Sequence, residues 1–435
     1  MDHLHTDEER KSRWYAVHLR PTFIDVCESD ASSTNLAARY VAGIPSSLFS
    51  TAADEQATKR GSQLLHGHLE EYGFAVVTNV LSHTECKVAI DLAWDYLEAA
   101  SVVERHIQTD SSSTVDDVDA TTKSASISSE SPPVRRDDPS TLSSPYYPVH
   151  VEGSILPFYG SGHTKFSWYL RDNQTLQSVF ASLHNTTPDE LITSLDGLVI
   201  WRSGDEHKTD AGWFHLDQNP QTKPGFESVQ GLLNLLPVSS STGGNAVVAK
   251  SHKLYPHHYI GSFEDEAGSS SCSSFYRQRL DELKGDDWME IDPNDSHLLD
   301  PNNIVTCLLK EGDLLLWDSR TVHCSFPGNS SNSCNVGYVP SQYQGLVRAG
   351  GLVTMMPKSR ATEEVLKGRV EAVRLSRTLT HWANKCALLG EEHEDEASLE
   401  SRRIELMKKL GPNEENNGTL LGWGDLSSSR KNLVR

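Results

Sequence analysis

His215 and Asp217 stand one residue apart in "GWFHLDQNP" (212–220). In an extended strand, residues i and i+2 project to the same side, so one imidazole and one carboxylate would aim at a common point. A metal held by that pair needs a third ligand from elsewhere. His323 is the best placed, in "EGDLLLWDSRTVHCSFPG", just after an apolar strand and a polar turn. Two histidines and one carboxylate on one face of an ion leave three coordination positions open, the arrangement of non-haem Fe(II) oxygenases. Taken alone, the His-x-Asp pair occurs often by chance, and most such pairs are ordinary surface or turn residues.

The elements around these residues must bring 215–217 and 323 together. From about 146 to 357 the chain is a series of short apolar runs separated by turns: "LDGLVIW", "VQGLLNLLP", "NAVVA", "IVTCLL", "DLLLW" and "GLVTMMP". Such spacing points to a β-sandwich or barrel rather than βαβ units. The Gly-Gly turn at 243–244 adds a hairpin between the two ligand strands. Upstream, "YGFAVVTNV" (72–80) reads as a strand, followed by a helix that opens with a Ser82/Glu85 capping box. Ile90, Ala93, Trp94 and Leu97 of that helix share one face. Residues 1–60 carry little pattern and read as an N-terminal extension. Residues 109–145, rich in Ser, Thr, Asp and Pro, read as a disordered insertion, and 262–300 as a second polar insertion. A folded domain over 61–385 is expected, then a C-terminal helix within 386–410 and a polar tail over 411–435.

The 435 residues carry 39 Lys and Arg against 60 Asp and Glu, a net charge of −21. That balance argues against nucleic acid or an anionic membrane as partner and leaves a small molecule as the expected one. The seven scattered cysteines, with no CxxC pair, fit free thiols in a reducing compartment. No apolar run of transmembrane length and no apolar signal core is present, so a soluble intracellular, cytoplasmic protein is expected. Nothing sets the oligomeric state.

The apolar runs, taken in order, resemble the phytanoyl-CoA dioxygenase family of Fe(II)/2-oxoglutarate-dependent oxygenases. The matching pieces are "GFAVVTNVL", "GHTKFSWYLR", "SLDGLVIWR", "GWFHLDQNP", "VQGLLNLLP", "GGNAVVAKSHK", "GDLLLWDSRTVHCS" and "RAGGLVTMMPKSRAT", spanning roughly 70–382. The resemblance implies a mainly β fold with flanking helices (α+β), a double-stranded β-helix or jelly roll. It implies His215, Asp217 and His323 as iron ligands. It also implies 2-oxoglutarate and O2 as co-substrates, with ascorbate as a possible stimulant, succinate and CO2 as co-products, and a hydroxylated organic product.

2-Oxoglutarate needs a cation for its distal carboxylate, ideally a bidentate arginine in a dry pocket. In the resembling family that arginine follows the distal histidine by about eleven residues, with Ser or Thr two residues after the histidine. Ser325 fits the second position, but Cys334 occupies the first. Two readings follow. Either the anchor is lost and the protein is a metal- or ligand-binding pseudoenzyme, or the loop has grown and Arg348, heading "RAGGLVTMMP" as in the family's closing segment, takes the role. The second is preferred, with "NSSNSCNVGYVPSQYQG" as inserted loop unless "NVGYV" is itself a strand. A cupin-like dioxygenase independent of 2-oxoglutarate is a further alternative. Gln230 and Asn234, at even spacing on one predicted strand, are candidates for contacting 2-oxoglutarate or substrate, or are satisfied strand polar groups. Arg320, Lys165 and Trp168 are weaker candidates, and His252, His257 and His258 read as a polar loop rather than a second metal site.

Overall fold

The computed structural model describes residues 20–28, 34–36, 39–112, 131–204, 207–260, 271–284, 286–328, 345–390, 394–410 and 419–435. The strands are β1 (Thr22–Cys27), β2 (Tyr40–Pro45), β3 (Phe74–Thr78), β4 (Ile155–Leu156), β5 (Leu191–Thr193), β6 (Leu198–Arg202), β7 (His215–Leu216), β8 (Val229–Asn234), β9 (Gly243–Val248), β10 (Met289–Glu290), β11 (Ile304–Leu308), β12 (Leu314–Asp318), β13 (His323–Pro327), β14 (Leu346–Val353) and β15 (Met355–Pro357). The helices are α1 (Glu55–Tyr72), α2 (His83–Ser112), α3 (Lys165–Arg171), α4 (Gln174–Leu183), α5 (His257–Ile260), α6 (Ser271–Leu283), α7 (Glu363–Leu375), α8 (Glu394–Leu410) and α9 (Ser428–Asn432).

Thirteen strands hydrogen-bond in the order β10-β7-β13-β9-β11-β1-β2-β3-β12-β8-β14-β6-β4. The ribbon rolls into two layers, and strict alternation sorts its side chains. Val247, Val305 and Cys307 from one layer and Phe74, Val76, Val199, Trp201, Leu232, Leu315 and Trp317 from the other share one interior cluster. Their outward neighbours Ala75, Val77, Leu198, Ile200, Leu233, Leu314 and Leu316 pack beneath α1, α2 and α4. On the opposite outer face, Leu216, Ala246, Val248, Cys324 and Phe326 pack with Tyr259, Tyr276 and Leu280 of α5 and α6. This is the expected jelly roll with flanking helices.

The Ser82 backbone N–H donates to Glu85 (2.8 Å), and the Glu85 N–H donates back to Ser82 Oγ (3.3 Å). Ile90, Ala93, Trp94 and Leu97 are all buried, so α2 has the cap and the face expected of it.

Three boundaries differ from expectation. Part of the 1–60 extension belongs to the roll. β1 pairs in parallel with β11 and β2, and β2 in parallel with β3, so the two strands bridge the layers. Of the 109–145 insertion, 109–112 complete α2 and 131–145 are ordered. Val134 and Leu142 are buried, and Arg136 pairs with Asp95 and Glu98. Of the 262–300 insertion, 271–283 form α6, and β10 pairs with β7, with Glu290 opposite His215. Residues 113–130 and 261–270 lie outside the described residues. Toward the C-terminus α8 spans Glu394–Leu410. The tail after it also packs, because the buried Arg369 guanidinium donates to the carbonyls of Val434 (3.0 Å) and Leu433 (3.3 Å).

Candidate metal and co-substrate site

β7 and β13 are neighbours, with His323 in register with His215. Both imidazoles therefore leave the same edge of the roll and point inward, where their ring centroids lie 4.3 Å apart. His215 Nδ1 donates to the Trp213 carbonyl at 3.1 Å, and His323 Nδ1 to the Thr321 carbonyl at 3.0 Å. Each Nδ1 thus carries the proton, and each Nε2 presents a lone pair. His215 Nε2 lies 3.6 Å from Asp217 Oδ1, and His323 Nε2 lies 3.2 Å from Asp217 Oδ2. Ligand atoms at right angles about 2.1 Å from one ion would be about 3 Å apart, so the set fits a common octahedral ion. Among the described residues it is the one group of three such side chains whose ligand atoms come together, all within 4.8 Å.

Burial lowers the His215 pKa to about 4, reinforced by His323 and opposed by Asp217, so this imidazole is neutral at physiological pH. Burial alone would raise the Asp217 carboxyl, but His215 and His323 together hold it well below the usual carboxylate range. A neutral His215 imidazole and an ionised Asp217 carboxylate are the protonation states a metal requires of them.

β8 and β14 form the facing layer. Gln230, inward on β8, donates from Nε2 to Asp217 Oδ2 at 2.8 Å and fixes the carboxylate that the histidines flank. A bulge between Leu346 and Arg348 of β14 accompanies the inward placement of Arg348. Arg348 is 2% exposed and lies over the Trp201 ring at 4.6 Å. Its Nη1 has no partner. Burial lowers its pKa to about 10, so it stays cationic at neutral pH.

The triad, Gln230, Ser325 and Arg348 line one cavity of about 430 Å3. Four buried polar atoms of its wall lack partners: Arg348 Nη1, Asn245 Nδ2, Trp317 Nε1 and His381 Nε2. Buried polar atoms are seldom left unpaired, and several converging on one cavity mark where a polar ligand belongs. A bidentate carboxylate fits the Arg348 fork, so the residues present suit both Fe(II) and 2-oxoglutarate.

Other sequence candidates fall elsewhere. Asn234 does not line this cavity. It caps the far end of β8, donating to the carbonyls of Leu236 (2.5 Å) and Lys310 (3.2 Å). Arg320 is tied to Asp318 by two hydrogen bonds and lines a separate surface groove of about 940 Å3 that none of the triad reaches. Trp168 is fully buried in another cluster, and Lys165 starts α3 away from the cavity. His252 Nε2 donates to the Glu70 carbonyl, and His258 pairs with Asp295. Cys334 and the 329–344 segment lie outside the described residues. Sequence reasoning missed Asn245, Trp213, Trp288, Trp317 and His381. Of these, only Asn245 and Trp317 had a readable signal, being inward by strand alternation.

Residues 204–334 match the family described as Phytanoyl-CoA dioxygenase (PhyH). Over that stretch the chain is similar to the PhyH family. Members of this family use Fe(II) and 2-oxoglutarate. The PhyH match holds the whole triad and ends before Arg348. "Ava biosynthesis cluster protein O" of Aspergillus versicolor is 30% identical over 236 residues, 53% of this chain and 66% of that protein. The epimerase SnoN, solved with Fe3+, alpha ketoglutarate and nogalamycin RO, is 13% identical, with a TM-score of 0.33 over 69% of this chain and 84% of that one. EvdO2 from Micromonospora carbonacea var. aurantiaca, complexed with 2-oxoglutarate, is 16% identical, with a TM-score of 0.28 over 67% and 89%. No helix among the described residues is long and apolar enough to cross a membrane.

Proposed function

We propose that the protein is an Fe(II)/2-oxoglutarate-dependent oxygenase that hydroxylates a small organic substrate. The observation that supports this best is one cavity holding a buried His-Asp-His set opposite a buried arginine whose Nη1 has no partner. His215, Asp217 and His323 would hold the metal. Arg348 would take the distal carboxylate of 2-oxoglutarate, with Ser325 on the same wall. When bound, Fe(II) and 2-oxoglutarate supply the oxidising power, with succinate and CO2 as co-products.

The chain's own contribution is orientation and exclusion of water. The Trp213 and Thr321 carbonyls lock the histidine tautomers, and Gln230 holds Asp217 against rotation. Trp317, Leu232 and Leu352 form an apolar floor, and in such surroundings the Arg348–carboxylate pair is stronger than in water. Three protein ligands leave no position for a bound halide beside the co-substrates, which favours hydroxylation over halogenation.

Titration of 2-oxoglutarate into the Mn(II)-loaded protein, followed by succinate assay with Fe(II) and ascorbate, tests the proposal. Binding lost in His215→Ala and Arg348→Ala but kept in Arg320→Ala is the expected outcome. Wild-type protein that takes no 2-oxoglutarate would leave a ligand-binding jelly roll as the better reading.

A further inference from the structure

The cavity wall on the solvent side is aromatic. The Trp213 ring stacks on His215, with centroids 4.8 Å apart and planes within 1°. The Trp288 ring faces the same imidazole at 5.7 Å and 30°. Trp288 is nevertheless 47% exposed, so much of its surface stands open beside a cavity it helps to line. A half-exposed tryptophan at a cavity mouth offers a flat apolar surface to a ligand.

The segment carrying Trp288, just before β10, is held in place. The neighbouring Asp287 carboxylate bridges Lys223 and Lys385, joining the segments after Asp217 and after His381 to it. Those two lysines are thereby committed. Among the described lining residues Arg348 is the one cation apart from histidine, and 2-oxoglutarate would occupy it. No other described lining residue is left to neutralise an anionic substrate. His381 Nε2 remains, buried and without a partner.

Resting on the oxygenase reading above, we propose that the substrate is an uncharged, planar aromatic or fused-ring molecule. Its ring lies against Trp288 at the cavity mouth, and one polar substituent hydrogen-bonds His381 Nε2. The volume of about 430 Å3 must hold 2-oxoglutarate as well, so only part of a large scaffold enters and the rest extends past Trp288. An acyl-CoA thioester, with its phosphates, is the wrong class.

The test measures binding of 2-naphthol, naphthalene, decanoate and octanoyl-CoA to the full chain loaded with Mn(II) and 2-oxoglutarate. 2-Naphthol is expected to bind and decanoate and octanoyl-CoA not to. Trp288→Ala should weaken both ring probes roughly ten-fold, the scale of a lost stacking surface. His381→Phe should weaken 2-naphthol roughly three- to ten-fold, the scale of one hydrogen bond, and leave naphthalene unchanged. Both variants should titrate 2-oxoglutarate as wild type does, which shows that they fold. Tighter binding of octanoyl-CoA or decanoate than of 2-naphthol overturns the proposal, as does 2-naphthol binding indifferent to Trp288→Ala. Failure of wild type to take 2-oxoglutarate instead strikes the oxygenase reading alone, because the ring probes can then be titrated without it.

Discussion

Arg348→Met removes the cation and keeps an unbranched apolar chain over Trp201. A hydrogen bond to a charged group contributes about 1.5–3 kcal/mol. Losing the fork that would grip the distal carboxylate should therefore weaken 2-oxoglutarate by about 3 kcal/mol, roughly a hundred-fold in Kd. The apoprotein should respond in the opposite sense. The guanidinium is 2% exposed, its Nη1 has no partner, and burial pulls its pKa down to about 10. An unpaired buried charge is a cost that methionine does not carry. Thermal melts separate the two effects. At 2-oxoglutarate a hundred times the wild-type Kd, wild type should gain about 2.7 kcal/mol and the variant only about 0.4 kcal/mol. Without ligand the variant should melt no earlier than wild type. If affinity is unchanged, Arg348 is not the anchor. If the ligand-free variant loses several kcal/mol, the arginine is structural and the cavity argument fails.

Gln230→Leu leaves Asp217 without its 2.8 Å donor, and Mn(II) affinity measured by chelator competition should fall about 10–100-fold; unchanged affinity would show that the histidines alone orient the carboxylate. His163 is fully buried with its pKa lowered to about 3, chiefly by burial, and its Nε2 donates to the Arg377 carbonyl at 2.7 Å. Its folded pKa lies below its unfolded value, so its contribution is complete above about pH 6.5 and is lost as pH falls toward 3, by about 1.4 kcal/mol per unit. In denaturant titrations between pH 7 and 5, His163→Gln should show a correspondingly shallower loss of stability than wild type; equal slopes would refute the assignment. Asp287→Ala strands Lys223 and Lys385, both partly exposed, and should cost about 1–3 kcal/mol in denaturant titration; a neutral result would mean that the three segments at the mouth hold without it.

The proposed metal ligands could be brought together on paper because their geometry is local. A two-residue period puts His215 and Asp217 on one face, and one apolar strand with a turn delivers His323 beside them. Gln230 was legible as an inward residue, although its hydrogen bond to Asp217 was not, because periodicity gives a direction and not a partner. Arg348 could be singled out only through resemblance, since a lone arginine at a strand start has no distinguishing pattern. β1 escaped notice for a different reason. "TFIDVC" is a short strand whose parallel partner β11 lies far along the chain, and parallel pairing leaves no hairpin turn to read.

The aromatic mouth marks a more general limit. Periodicity reports which residues are buried in a core, because burial is what repeats along an element. Trp288 sits in the polar stretch "KGDDWMEIDPNDS" and is 47% exposed, so it breaks every pattern that would reveal a core residue. It reaches the cavity because the adjoining β10 pairs with β7, and Asp287 anchors it from outside. His381 likewise occurs singly in "LTHWANK" and joins the cavity only once the turn after α7 packs there. The residues proposed to bind the metal are constrained by an ion's fixed geometry and repeat a readable spacing. The residues proposed to meet the substrate answer only to that substrate's shape, so it takes the folded cavity to assemble them.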